Sequence, residues 1–126
     1  MTELKKVSTD NAPKAIGPYS QAIVCGNMVF TSGQIPINPE SGNVEATTIE
    51  GQAEQVMKNL GAVLFAAGSS FEKAVKTTCF LADMADFAAF NGVYAKYFTT
   101  NPARSCVAVK TLPKNVLVEV EVIAVL

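Results

Sequence analysis

The chain has 126 residues, 49% of them hydrophobic and only 17% charged, with a net charge of −1. Its nine lysines are scattered and Arg104 is its one arginine, so it lacks the clustered positive charge on which nucleic-acid affinity rests. It contains no histidine, which excludes the usual zinc sites, the Ser-His-Asp triad and the Cys-His dyad.

The opening Met1-Thr2-Glu3-Leu4-Lys5-Lys6 lacks the apolar core of a signal peptide, and a cytoplasmic location is expected. Residues 4–9 can form a first strand, followed by a loop marked by Asn11-Ala12-Pro13 and Gly17-Pro18. No charge occurs from Ala15 to Pro39, yet Gly17, Pro18, Gly26, Gly33 and Pro36 interrupt that run. A membrane span needs about 20 mostly apolar residues, so buried strands and tight loops are the better expectation. Residues 22–25 and 28–32 flank Gly26-Asn27, a two-residue turn suited to a hairpin, and 36–42 read as a loop. Thr47-x-x-Glu50 has the pattern of a capping box. The helix after it carries Ile49, Ala53, Val56, Leu60, Val63 and Ala67 at spacings of three and four, and Gly68 stops it. Residues 74–81 read as a strand. Asp83 can cap a second helix with Met84, Phe87, Phe90, Tyr94 and Tyr97 on its inner face. Pro102 ends the connection, and 105–110 and 116–125 are two strands joined across Leu112-Pro113.

This order predicts an α+β fold in a single domain, residues 1–126, with one mixed sheet and two helices packed on one face. Nothing in the chain is left to cover the other face. Average proteins carry about 25% charged residues, so the scarce charge here also predicts burial of that face against other copies. Cys25, Cys79 and Cys106 lie in apolar runs without a C-x-x-C pair and read as buried free thiols of a reducing compartment.

Arg104 follows Pro102-Ala103 at the start of a strand, so its backbone is held firmly. Its planar fork matches a carboxylate, although an ion pair with one of the eleven acids is the simpler local reading. Glu119 and Glu121 share a face of an otherwise apolar strand, where acids are expensive unless exposed or partnered. They are either a solvated edge or carboxylates positioned to handle a proton or a water. Gly17-Pro18 could aim Tyr19 into a cleft. Ser32 and Gly33 could bind a ligand, or Gly33 could simply make the turn. Asn91 could hydrogen-bond a ligand from the second helix or lie on its surface. Cys106 shares a side of its strand with Arg104 and reads as a packed thiol whose backbone amide matters more than its sulfur.

Five stretches carry a resemblance when taken together: Ile16-Gly17-Pro18-Tyr19-Ser20-Gln21-Ala22, Thr31-Ser32-Gly33-Gln34-Ile35-Pro36, Val75-Lys76-Thr77-Thr78, Pro102-Ala103-Arg104-Ser105 and Val118-Glu119-Val120-Glu121. In this order the chain resembles the RidA (YjgF) family, whose better-studied members are 2-iminobutanoate/2-iminopropanoate deaminases. The resemblance implies a chorismate-mutase-like (YjgF-like) α+β fold in a homotrimer, with sheets inward and a site in each cleft between subunits. It implies that Arg104 binds the substrate carboxylate and Glu119 activates the attacking water. Tyr19, Ser32, Gly33, Asn91 and the Cys106 backbone would line the cleft. The substrates it implies are 2-enamines and 2-imines such as 2-aminoacrylate, with 2-keto acids and ammonia as products, and neither cofactor nor metal is called for. Family members often carry an aromatic or apolar residue before Pro-Ala-Arg, where this chain has Asn101.

The alternative is a non-catalytic trimer that binds small carboxylates such as 2-keto acids and regulates a partner, which needs Arg104 but not Glu119. A ribonuclease role, attached to some relatives, fits poorly with one arginine and no histidine.

Overall fold

The computed structural model describes residues 2–126. Six strands form one sheet: β1 Leu4–Val7, β2 Ala22–Cys25, β3 Met28–Thr31, β4 Ala74–Leu81, β5 Ala103–Ala108 and β6 Val118–Val125, in the order β1-β2-β3-β6-β4-β5. Neighbours are antiparallel except β4 and β5, which run parallel. The two helices explain this order. A parallel pair needs a crossover, and α2 (Phe87–Tyr97) supplies it between β4 and β5. The longer α1 (Ile49–Ala67) carries the chain from β3 to β4, leaving a slot between them that β6 fills.

Alternation along β6 sorts the two faces. Val118, Val120, Val122 and Ala124 are buried beneath the helices, while Glu119, Glu121 and Ile123 point away from them. The core lies on the helix side, where Val56, Leu60, Val63 and Leu64 of α1 are fully buried. Removing such aliphatic side chains from water contributes about 1.5–3 kcal/mol each. The mixed sheet with both helices on one face is the expected architecture. Its far face is uncovered within the chain, and the register places Phe30 and Val107 there, 42% and 47% exposed. No helix among the described residues is long and apolar enough to cross a membrane.

Several element boundaries differ from expectation, each for a local reason. The first strand ends at Val7 and not at 9, because the buried Gln21 side chain takes over the ladder. Its Oε1 accepts from the Thr9 amide at 2.7 Å and its Nε2 donates to Thr9 and Pro13 carbonyls. The α1 cap is Thr48 and not Thr47: the Thr48 hydroxyl accepts from the Gly51 amide at 3.1 Å, and glycine there offers no carboxylate to complete a box. Asp83 caps a short 3₁₀ turn, Met84–Asp86, and not α2 itself. That turn rotates Met84 off the helical stripe, leaving it 43% exposed, and Val93 joins the buried face. β5 begins at Ala103 and stops at Ala108, since among the described residues its partners are Lys76 to Leu81 of β4. β6 begins at Val118 and not 116, because the Leu117 amide is taken by the Gln52 side chain at 2.8 Å. The hairpin's second strand ends at Thr31 and not 32, a change that shapes the site below.

Candidate active site

Phe30 pairs with Ile123 and Gln34 bridges to Val120, so three residues of the β3 end oppose two of β6. This is a β-bulge, and it lifts the chain away from the sheet. The Thr31 hydroxyl fills the vacated rung, accepting from the Val122 amide at 3.0 Å. Ser32 is tied to the loop that carries Tyr19: its hydroxyl donates to the Ser20 carbonyl at 2.6 Å and its amide to the Gln21 carbonyl at 2.9 Å. The bulge thus holds Gly33 directly over Glu119. A Cβ on Gly33 would stand 2.8 Å from Glu119 Cδ and overlap its Oε2. Glycine is required here to admit the carboxylate, a role that the turn reading of Gly33 missed. Gly33→Ala is expected to expel the Glu119 carboxyl and lower turnover about 10-fold or more, consistent with the cost of a small misplacement at a reacting group. Steady-state rates beside a thermal melt would check it.

Glu119 faces a cavity of about 470 Å³ lined by Tyr19, Ser32, Gly33, Ile35 and Pro113. Burial pushes its carboxyl above the usual carboxylate range, and the negative charge of Glu121 adds to the effect. Tyr19 is 54% exposed at the rim, and its amide donates at 2.9 Å to the carbonyl of Gly17, whose φ of 125° only glycine adopts readily. A proton acceptor of raised basicity beside an open cavity can take a proton from water and return it.

Arg104 lies on the other side of the sheet. It pairs with Thr77 on β4, and both side chains point toward α2. Phe87, Asn91 and Tyr94 recur on α2 at helical spacing and meet the guanidinium together. Nη1 donates to Asn91 Oδ1 at 2.7 Å. Cζ stands 4.7 Å from the Tyr94 ring centre and 5.4 Å from that of Phe87. Such cation–π contacts contribute about 0.5–2 kcal/mol each. Among the described residues Arg104 forms no salt bridge; the ion pair there joins Lys96 and Glu54. The ordinary ion-pair reading of Arg104 therefore fails within the chain. Its guanidinium opens on a cavity of about 270 Å³ with Asn91, Tyr94, Phe98, Asn101 and Pro102.

Cys106 lies on the same side of β5, packed against the core. Burial raises its thiol, with Arg104 pulling the other way, and beside it on β4 burial pushes Cys79 up to about 12. Neither thiol is poised as a nucleophile. Of the seven site residues singled out from the sequence, Tyr19, Ser32, Gly33 and Glu119 line one cavity, Asn91 and Arg104 line the other, and Cys106 lies two residues along β5 from Arg104. Sequence reasoning placed Tyr94 and Phe87 in the core and gave no site role to Thr77, Ile35 or Pro113. An aromatic at helical spacing reads as packing; only the arginine found above its ring gives it a second use.

The two cavities are separate in one chain. Glu119 is paired with Phe80, Phe80 with Val107, and Val107 alternates with Cys106 and so with Arg104. Glu119 and Arg104 thus project from opposite faces, with Arg104 on the edge strand. A small molecule touching both must lie between two chains.

Residues 9–126 match the family model described as Endoribonuclease L-PSP. An Escherichia coli K12 protein named 2-iminobutanoate/2-iminopropanoate deaminase is 50% identical over 125 residues, covering 96% of this chain and 97% of that protein. The chain belongs to the RidA/YjgF family. The solved structure of the E. coli YjgF gene product matches with a TM-score of 0.91 at 49% identity, covering 96% of this chain and 98% of that one. E. coli TdcF, solved with bound serine, matches with a TM-score of 0.92 at 45% identity, covering 97% and 98%. Within this RidA fold, Asn101 before Pro-Ala-Arg has φ 55°. That is a left-handed conformation, which asparagine adopts more readily than an apolar side chain does.

Proposed function

We propose that this chain hydrolyses small 2-imino acids, with their 2-enamine tautomers, to 2-keto acids and ammonia in clefts between neighbouring subunits of a homotrimer. The observation that carries this is Arg104: a guanidinium held in place by neutral groups, without an acid, facing a cavity. Its free N–H groups suit a carboxylate. The relative named for 2-iminobutanoate and 2-iminopropanoate supports that substrate class, and bound serine in TdcF supports a small carboxylate ligand.

The chemistry follows from the inventory. The imine carbon beside a carboxylate is electrophilic, so positioning and one proton carrier suffice. Water adds its oxygen to that carbon while the C=N π pair moves to nitrogen and Glu119 accepts a water proton. Glu119 then returns that proton to nitrogen, giving a neutral carbinolamine. It next takes the hydroxyl proton as the carbonyl forms and passes it to nitrogen, so the C–N bond breaks and nitrogen leaves as ammonia. Arg104 keeps the carboxylate fixed throughout. Tyr19, Ser32, Asn91 and the Cys106 backbone bound the cleft, and Gly33 admits the Glu119 carboxyl. A cytoplasmic location suits the free thiols and the short-lived substrates.

The separation of Arg104 from Glu119 and the uncovered sheet face with Phe30 and Val107 support the trimer. Generating 2-iminobutanoate in situ and following 2-ketobutyrate tests the reaction; no acceleration over buffer would sink it. Subunit mixing tests the cleft. Arg104→Ala and Glu119→Gln chains, each inactive alone, are expected to regain about a quarter of wild-type activity when exchanged into mixed trimers, since one cleft in four then carries both groups. No recovery on verified mixing would remove the shared site. RNA is a poor alternative substrate, because the chain offers one arginine, no histidine and no basic cluster.

A further inference from the structure

We infer that the α2 stripe of Phe87, Asn91 and Tyr94 holds Arg104 in place without neutralising it, so that Asn91 and Tyr94 are positioning residues for carboxylate binding. This rests on the proposed role of Arg104 as the carboxylate anchor. A cation drawn partly out of water is ordinarily met by an acid. The chain has eleven acids, and none of those described stands within 4.0 Å of this guanidinium. Three neutral groups surround it instead: the Asn91 carbonyl at 2.7 Å, the Tyr94 ring at 4.7 Å and the Phe87 ring at 5.4 Å.

Each group does a separate part of the work. The ring quadrupoles offset some of the lost hydration while leaving the full positive charge. The Asn91 bond occupies one edge of the fork and fixes its rotation, leaving the other edge for a ligand. Tyr94 is itself braced. Its hydroxyl is 2.7 Å from Thr77 Oγ1, and Phe98 stacks on it at 4.6 Å and 27°. Thr77 is also the β4 residue paired with Arg104, so ring and guanidinium are fixed to the same point of the sheet. The affinity of the site for an anion then depends on residue 91 being neutral. Aspartate would fit the same space and accept the same bond, but it would pair with Arg104 and compete with the substrate.

The test compares Asn91→Asp, Tyr94→Leu and Tyr94→Phe with wild type. It reads kcat and KM for 2-iminobutanoate made in situ, Kd for 2-ketobutyrate by calorimetry, and the melting temperature. Asn91→Asp is expected to raise KM and Kd about 10-fold or more, with kcat within about threefold and melting unchanged or higher. Tyr94→Leu is expected to raise KM and Kd likewise, and Tyr94→Phe, which keeps the ring but loses the Thr77 brace, to recover most but not all of that loss. Wild-type binding by Asn91→Asp would overturn the inference, since that is what a merely structural hydrogen bond predicts. So would a Tyr94→Leu protein that folds and keeps its KM. If Tyr94→Leu does not fold, Asn91→Asp alone decides. Wild-type protein that binds 2-ketobutyrate but does not turn over would end the deaminase reading, while the binding constants still decide this one. Protein that does neither overturns both.

Discussion

Glu119→Gln is expected to lower 2-keto acid release about 10²–10⁴-fold, the usual worth of a general acid–base group. 2-Ketobutyrate binding should stay within about threefold, because Arg104 carries it. Burial and the neighbouring Glu121 charge already hold the Glu119 carboxyl above the usual range. Wild-type activity should therefore fall on acidification at a higher pH than an ordinary carboxylate would give, as the accepting form is lost. The same shift sets the sign of the stability change. A carboxyl whose pKa is higher folded than unfolded contributes stability that is present below its unfolded pKa and lost as pH rises through its folded pKa. At neutral pH the charged Glu119 is thus a liability to the fold. Glu119→Gln should melt at or above the wild-type temperature at pH 7, and the difference should close in acid. Rates, calorimetric binding and melts at both pH values check this. Full turnover with glutamine at 119 would remove the acid–base role, whereas binding without turnover in the wild type would favour a non-catalytic keto-acid binder.

What the sequence made legible follows a physical line. Hydrophobic periodicity located every major strand and both helices, because apolar side chains report on burial wherever they recur at 2.0 or 3.6 residues. The missed boundaries are those set by side chains at long range. The Gln21 amide ends the first strand from twelve residues away, and Gln52 delays β6 across 65 positions. Neither bond has a local signature. The site divides in the same way. Arg104 and Glu119 stood out because charge is scarce around them and their motifs matched a family. The Tyr94 platform was invisible, since its use depends on β5 lying beside β4, a pairing that no local pattern encodes. The bulge that seats Gly33 over Glu119 was likewise hidden, because it exists only in the pairing of β3 with β6.

Arg104 gives the sharpest separation between function and fold. Charge-assisted hydrogen bonds contribute about 1.5–3 kcal/mol each, so Arg104→Ala, which loses both arms of a carboxylate clamp, is expected to weaken 2-ketobutyrate binding about 10²–10⁴-fold. Turnover should fall at least as far. Arg104→Lys keeps the charge but loses the planar fork and its stacking on Tyr94, and should recover only a small part of the loss. The fold should lose far less than binding does. Arg104 has no acid to leave behind; it surrenders one hydrogen bond, to a half-buried asparagine that water can reach, and two cation–π contacts. A modest fall in melting temperature is the expected result, since each of these contacts contributes about 0.5–2 kcal/mol and no acid is left unpaired. An arginine serving mainly as a structural cation would behave in the opposite way, with a large drop in melting temperature and a smaller loss of binding. Calorimetry and thermal melts on the same two variants distinguish these cases, because a guanidinium held without a counter-charge can matter greatly only to a ligand that brings one.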